Sequence, residues 1–534
     1  YDAMVVLDDI GDPKELAKIL GQILKMNPLD VLTRIMTEQQ DKLARTVRVK
    51  SDLTWEELAL LETYKFDLPG VVIQMQPKRE YRPDSLACHL IGYLGEITEA
   101  QLKSGKFPRN KMGDEVGRCG IELAYNEYLT GQRGFRRVEV DAHGQELRLL
   151  EQVPSSPGAN LFLTIDARLQ AKAEELLADK VGAIVVLEAT SGRVLTLASA
   201  PKFDQNAFSR GVNPAYWRQL LQDRNHPLEN RALKGQYPPG STFKLVMAAA
   251  ALEEKVVTPG TIFYCNGSFP FGNHVFRCHK KGGHGGMNLH SGIVHSCDVY
   301  FYNVGRRLGV DRIAKWAGFF GLGRPTGIRL DSEKPGLIPS TAWKKQRFQQ
   351  PWHEGETISV AIGQGYVTTT PLQMARVAAA VANGGVIHVP QVIEKIKAPD
   401  GEELYNFRPE IAGHLPASPK TLELIRRACR DVVTVGTGKA ARLPGIEVGG
   451  KTGTAQVVSQ GQVVSKGRKT EDHAWFICFA PVEKPEIAVA VIIEHGGHGG
   501  AAAAPLAREI MATYFDLQKE ALEIKADQEV GGES

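Results

Sequence analysis

Three short stretches carry residues whose types and spacing suit acyl transfer. In "YPPGSTFKLVMAAAALEE", residues 237–254, two prolines and a glycine stop the chain and an apolar, alanine-rich helix begins. Ser241 and Lys244 open that helix three residues apart, so they share one face of its first turn. A serine hydroxyl is a poor nucleophile until a base takes its proton. At a helix N-terminus it also meets free backbone N–H groups and the positive end of the dipole. For Lys244 to be that base it must be uncharged, which takes burial or a second cation close by. Alone, Ser-x-x-Lys is better read as an N-capping serine followed by a solvated lysine.

The other two stretches change the balance. "HSCDVYFYNVG" places Ser296 two residues before Asp298 at the head of an apolar run, and "GGKTGTAQ" sets Lys451, Thr452, Gly453 and Thr454 on a strand edge. In this order the three resemble the motif set of the penicillin-interacting serine enzymes, and that resemblance implies a role for each group. Ser241 attacks a carbonyl and Lys244 accepts its proton. Lys451 supplies the positive charge that keeps Lys244 neutral and attracts a substrate carboxylate, which the hydroxyls of Thr452 and Thr454 also meet. Gly453, without a side chain, lets an extended peptide lie along the strand. The N–H groups of Ser241 and Thr454 form an oxyanion hole, and Ser296 passes a proton to the leaving amine.

The elements that position these groups follow from pattern and composition. A chain of 534 residues, 43% hydrophobic and 23% charged, is globular and long enough for more than one core. Its net charge of +3 and the lack of a basic stripe give no case for nucleic acid. No apolar run approaches the ~20 residues of a membrane span, and the opening Tyr1 suggests that a preceding segment is missing. Asp12-Pro13 starts an amphipathic helix, and "EQVPSSPGAN", residues 151–160, reads as a linker. "GAIVVLEATSGRVLTLASAP" reads as a hairpin around Thr190-Ser191-Gly192. "VGGKTGTAQVV", "HAWFICFAPV" and "IAVAVIIEHG" read as three more strands before a closing helix. The expectation is an α+β protein: an N-terminal domain over 1–155, a domain of antiparallel sheet sandwiched by helices over 156–520, and a polar tail over 521–534, frayed after Lys525.

Ser-x-x-Lys, Ser-x-Asp and Lys-Thr-Gly-Thr in this order resemble the motif set of the penicillin-interacting serine enzymes. The likeness extends to "RPTGIRLDSEKPGLIP", "ISVAIGQGYVTTTPLQMARVAAAVANGG", "YRPDSLACHLIGYLGEI" and "GRCGIELAYNEYLTGQRGFRRVEVDAHGQ". These resemble class B penicillin-binding proteins, and the aspartate at 298 with "WKKQRFQQPWHEGETI" resembles their elongation-specific subgroup. The resemblance implies a non-catalytic pedestal domain and a peptidoglycan D,D-transpeptidase. In that reaction Ser241 opens the D-Ala-D-Ala bond of a stem peptide, and an amine of a neighbouring stem resolves the acyl-enzyme. It also implies acylation by β-lactams, a single N-terminal inner-membrane anchor absent from this sequence, a periplasmic catalytic domain, and a SEDS-family glycosyltransferase and elongation scaffold as partners. A D,D-carboxypeptidase or β-lactamase would use the same serine with water as acceptor. No deacylating E-x-x-L-N-like segment is found, so a stable penicilloyl adduct is expected. A non-catalytic β-lactam receptor is the third reading.

One loop stands apart. "CNGSFPFGNHVFRCHKKGGHGGMNLHSGIVHSCD", residues 265–298, holds three cysteines and five histidines. Cys265, Cys278, His284 and Cys297 make a set for structural zinc, and the family resemblance implies zinc ligands in this region, with Cys265 the loosest fit. His274, His279, His290 and His295 are reserve ligands. A Cys265–Cys278 disulfide, or free thiols beside solvated histidines, are the alternatives. Cys88, Cys119, Cys429 and Cys478 read as small hydrophobes.

Overall fold

The computed structural model describes residues 1–39, 46–75, 78–140, 146–209, 211–456 and 471–531. They form two compact units: Tyr1–Tyr81 with Asn206–Val212, and Arg82–Gln205 with Asn213–Ser534. Compactness divides the chain after Tyr81, whereas composition divides it near 155. The stretch 151–160 ends the strand Glu146–Val153 and pairs Ser156 with Gln132.

In the first unit the strands Thr46–Lys50, Asp2–Val6 and Val71–Gln74 form an antiparallel sheet in that order. Helix Pro13–Ile23 packs on it through Leu16, Leu20 and Ile23. Asp12 caps this helix, its carboxylate accepting from Lys14 N at 2.9 Å, and Pro13 fills the first position, where no N–H is needed.

The second unit is built on a five-stranded antiparallel sheet in the order Val194–Ala200, Gly182–Glu188, Ile487–Ile493, His473–Ala480, Gly449–Ala455. Side chains alternate across it. Val185, Leu187, Trp475, Ile477, Ala488 and Ala490 join the core of helices Lys244–Glu253, Pro371–Ala382 and Pro419–Thr434. Ile184, Val186, Phe476, Cys478, Val489 and Val491 join the core of helices Ala167–Leu176 and Ala504–Gly531. With both faces covered, the strands read in sequence as unbroken apolar runs. The α+β expectation and the hairpin at 190–192 describe this unit.

The last helix continues as far as Gly531, past Lys525, where fraying is expected from the sequence. Residues 532–534, and the strand reading over 457–458, lie outside the described residues.

Candidate active site

Ser241 lies in a single 3₁₀ turn, Gly240–Phe243, and the α-helix begins at Lys244. Three residues per turn stack Ser241 over Lys244 more closely than an α-helical turn does. The turn needs glycine. Gly240 has φ +55°, and a Cβ there would lie 2.5 Å from Thr454 O. Thus the backbone just before the nucleophile touches the edge strand Gly449–Ala455. Ser241 is half-buried, and among the described residues nothing hydrogen-bonds its hydroxyl.

Behind it sit two buried amines. Lys244 Nζ donates to Ser296 O at 2.8 Å, Ser296 Oγ at 3.3 Å and Asp298 Oδ1 at 2.7 Å. Three donated bonds use all the protons of an ammonium. Burial acts to raise the Asp298 carboxyl, but the charge of Lys244 and then the His279 ring pull it well below the usual carboxylate range. His279 contributes its backbone N, 2.9 Å from Asp298 Oδ2, and its ring at 3.4 Å. The hydrogen bond to Asp298 leads the effects that raise the His279 imidazole to about 9.

Lys451 Nζ donates to Ser296 Oγ and to Thr452 O, both at 3.0 Å. Among the described residues it has no carboxylate partner. Burial first, and the facing Lys244 second, push its amine well below the usual lysine range. Lys244 is thus paired with a carboxylate, while Lys451 donates to hydroxyl and carbonyl oxygens.

Ser296 Oγ bridges the two amines. Its backbone is left-handed, φ +54°, a conformation that costs a serine about 1 kcal/mol or more. This residue turns the chain from helix Leu289–Val294 into helix Asp298–Leu308.

On the edge strand, Lys451 and Gly453 share one face. A Cβ on Gly453 would lie 2.9 Å from each of Pro239 O, Thr242 Cγ2 and Trp475 Cβ. The glycine is required by the nucleophile turn, a reason different from the one expected. Thr452 is nearly buried, and its hydroxyl lies 2.7 Å from Thr437 Oγ1. Thr454 is half-buried. Among the described residues the strand is paired on one side only, leaving an open edge.

Sequence reasoning missed Thr437, His279 as a partner of Asp298, and Gly363, whose carbonyl accepts from Gly240 N at 2.9 Å. The Thr-Val-Gly-Thr-Gly context at 434–438 carries no signal of its pairing with residue 452.

The loop cluster assembles as a set. One ligand atom from each of Cys265, Cys278, His284 and Cys297 lies within 4.8 Å of the others. His284 Nδ1 is 3.6 Å from Cys265 Sγ and 3.5 Å from Cys278 Sγ. A tetrahedral zinc with sulfur near 2.3 Å and nitrogen near 2.05 Å separates such atoms by about 3.6 Å, so the donor set fits zinc. Cys265, the loosest member by spacing, is brought in by pairing of strand Phe263–Cys265 with Gly285–Met287. All seven cysteines are free, so Cys265 and Cys278 form no disulfide. Of the reserve histidines, His279 faces Asp298, His290 lies 3.0 Å from Asp431, and His274 packs on Phe276. The His295 ring lies 6.3 Å from that of His284.

Known proteins resemble the chain over most of its length. Residues 182–512 match the family described as Penicillin binding protein transpeptidase domain, and residues 1–163 match Penicillin-binding Protein dimerisation domain. Over 515 residues the chain is 38% identical to the Peptidoglycan D,D-transpeptidase MrdA of Acinetobacter baumannii, covering 94% of this chain and 76% of that one. It is similar to the penicillin-binding protein 2 in a solved complex with MreC from Helicobacter pylori, with TM-score 0.85, 30% identity and coverage of 97% and 94%. A structure titled for the coordination of polymerization and crosslinking by a peptidoglycan synthase complex matches with TM-score 0.73 and 32% identity, covering 96% of this chain and 86% of that one. The chain belongs to the penicillin-binding transpeptidases, in the family of penicillin-binding protein 2.

Proposed function

We propose that the chain is a peptidoglycan D,D-transpeptidase of cell elongation that works through an acyl-serine. One observation carries the reading: the unbonded hydroxyl of Ser241 lies one turn before a buried Lys244–Ser296–Lys451 chain at an open strand edge.

A stem peptide ending in D-Ala-D-Ala adds along that edge as an extra strand. Its terminal carboxylate meets Thr452, Thr454 and Lys451, and its negative charge favours a cation at Lys451. A proton then moves from Lys244 to Ser296 Oγ as the Ser296 proton moves to Lys451, leaving Lys244 neutral. Lys244 takes the Ser241 proton as Oγ bonds to the carbonyl carbon, and the N–H groups of Ser241 and Thr454 hold the oxyanion. The C–N bond breaks, D-Ala leaves with a proton delivered through Ser296, and the amine of a second stem resolves the ester. A β-lactam enters the same path.

Zinc is part of the proposal: Cys265, Cys278, His284 and Cys297 would hold it. The ion would supply structural cross-linking of the loop, and Cys297 lies between Ser296 and Asp298. An inner-membrane anchor and a periplasmic site also belong to the reading, supported by family membership. Among the described residues no helix is long and apolar enough to cross a membrane. The relatives in complex with MreC and in a synthase complex support a scaffold and a SEDS-family glycosyltransferase as partners.

Labelled penicillin tests the reaction. A long-lived adduct on the wild type, absent from Ser241→Ala, is the expected result. Rapid release of penicilloate would assign a hydrolase instead. A stable adduct without stem-peptide joining in a reconstituted cross-linking assay would assign a receptor.

A further inference from the structure

The residues just before Ser241 are fixed one by one, while its own hydroxyl is left free. Tyr237 exchanges backbone hydrogen bonds with Thr369 at 3.0 and 2.9 Å. Pro238 O accepts from Trp475 Nε1 at 3.1 Å, Pro239 O accepts from Thr242 Oγ1 at 2.7 Å, and Gly240 N donates to Gly363 O at 2.9 Å. At the head of this series is a buried polar group outside all three motifs. The Tyr237 hydroxyl donates to Glu494 Oε1 at 2.7 Å, and Arg231 Nε donates to the same oxygen at 2.7 Å.

Arg231 is 2% exposed, and its remaining nitrogens donate to the carbonyls of Asn225 and His226. Burying a guanidinium, a carboxylate and a phenol together adds little net stability, since apolar residues of the same volume do as well or better. What such a group does provide is a defined geometry, because each donor has one place to go. Here that geometry connects two moving parts of the reaction. Glu494 follows the central strand Ile487–Ile493, and its N–H donates to Val181 O at 2.7 Å, so it is part of the sheet. The same sheet carries Thr454, whose N–H the proposed reaction assigns to the oxyanion, while Tyr237 precedes the turn that carries Ser241 and its N–H.

We infer that Glu494, held by Arg231, is a positioning residue that sets Ser241 against the edge strand through the Tyr237 hydroxyl. The inference rests on Ser241 being the acylated nucleophile. Orientation of a nucleophile against its oxyanion donors acts on the chemical step, with little effect on prior binding.

Acylation kinetics with labelled penicillin separate the precovalent dissociation constant from the acylation rate constant. Tyr237→Phe and Glu494→Ala lower the rate constant at least tenfold and leave the dissociation constant within about twofold. Glu494→Gln, which keeps an acceptor oxygen, recovers most of the rate. The double variant Tyr237→Phe/Glu494→Ala falls little below either single one, because both remove one connection. Rates within threefold of wild type, or a dissociation constant that rises in step with the rate loss, would overturn the inference. Should Glu494→Ala fail to fold, Tyr237→Phe decides alone, since it keeps the ring packed on His473 and Trp475. A wild type that takes no label refutes the nucleophile itself, a separate outcome.

Discussion

Replacing Gly240 by alanine tests the oxyanion geometry directly. The left-handed backbone at φ +55° costs an alanine about 1–2 kcal/mol. The new methyl would lie 2.5 Å from Thr454 O and 3.1 Å from Thr454 N. A tolerable carbon–oxygen contact is about 3.3 Å, so turn and strand must separate by roughly 0.8 Å. Thr454 is paired on its far side with Ala474, which resists movement of the strand. An oxyanion donor at about 2.9 Å would thus recede to about 3.7 Å, beyond hydrogen-bond range. Loss of one such donor costs about a hundredfold to a thousandfold in rate. Overpacking strain of about 1–3 kcal/mol adds to the backbone term, giving a destabilisation of about 2–5 kcal/mol. Stopped-flow acylation by a fluorescent penicillin, with urea unfolding beside it, reads both quantities. A folded Gly240→Ala protein that acylates within tenfold of wild type would refute the reasoning.

Two further outcomes are expected. Purified protein carries about one zinc per chain, and Cys278→Ser or chelation removes it, raising hydrogen exchange in residues 289–300; metal analysis that finds no zinc in the wild type ends that proposal. Burial chiefly, with Arg231 and Lys234 nearby, lowers His89 from 6.5 to about 4, so the unfolded chain binds a proton between those values that the folded chain refuses. Stability is therefore lost as pH falls from 6.5 to 4, by about 3 kcal/mol, and His89→Gln flattens that limb of the unfolding curve.

Ser241, Lys244, Ser296 and Lys451 were legible because residue type and short spacing carry their chemistry, and the last three are joined through Ser296 Oγ. The two cores were legible in outline, since "HAWFICFA" and "IAVAVII" are too apolar for a sheet with a wet face. Which lysine has a carboxylate partner was not. Asp298 reaches Lys244 across 54 positions, and no local pattern encodes such a contact. The same limit hid Thr437 beside Thr452, and Glu494 beneath Tyr237. Gly453 has a second reason that the sequence did not show, because the turn at 239–242 that it touches is remote in sequence. Cys265 looked misplaced only while counted along the chain; a hairpin measures distance differently.

The sheet is stitched from the two ends of its unit: Gly182–Glu188 lies against Ile487–Ile493, roughly 300 residues later. A ribosome that has finished residue 440 has already made the serine and its first lysine, yet the partner lysine, the open edge and the central strand do not exist. Until residue 493 is made, the nascent protein holds half a reaction centre with nothing to dock it on. Acylating power therefore arrives only with the central strand, and a chain cut short before it has none to lose.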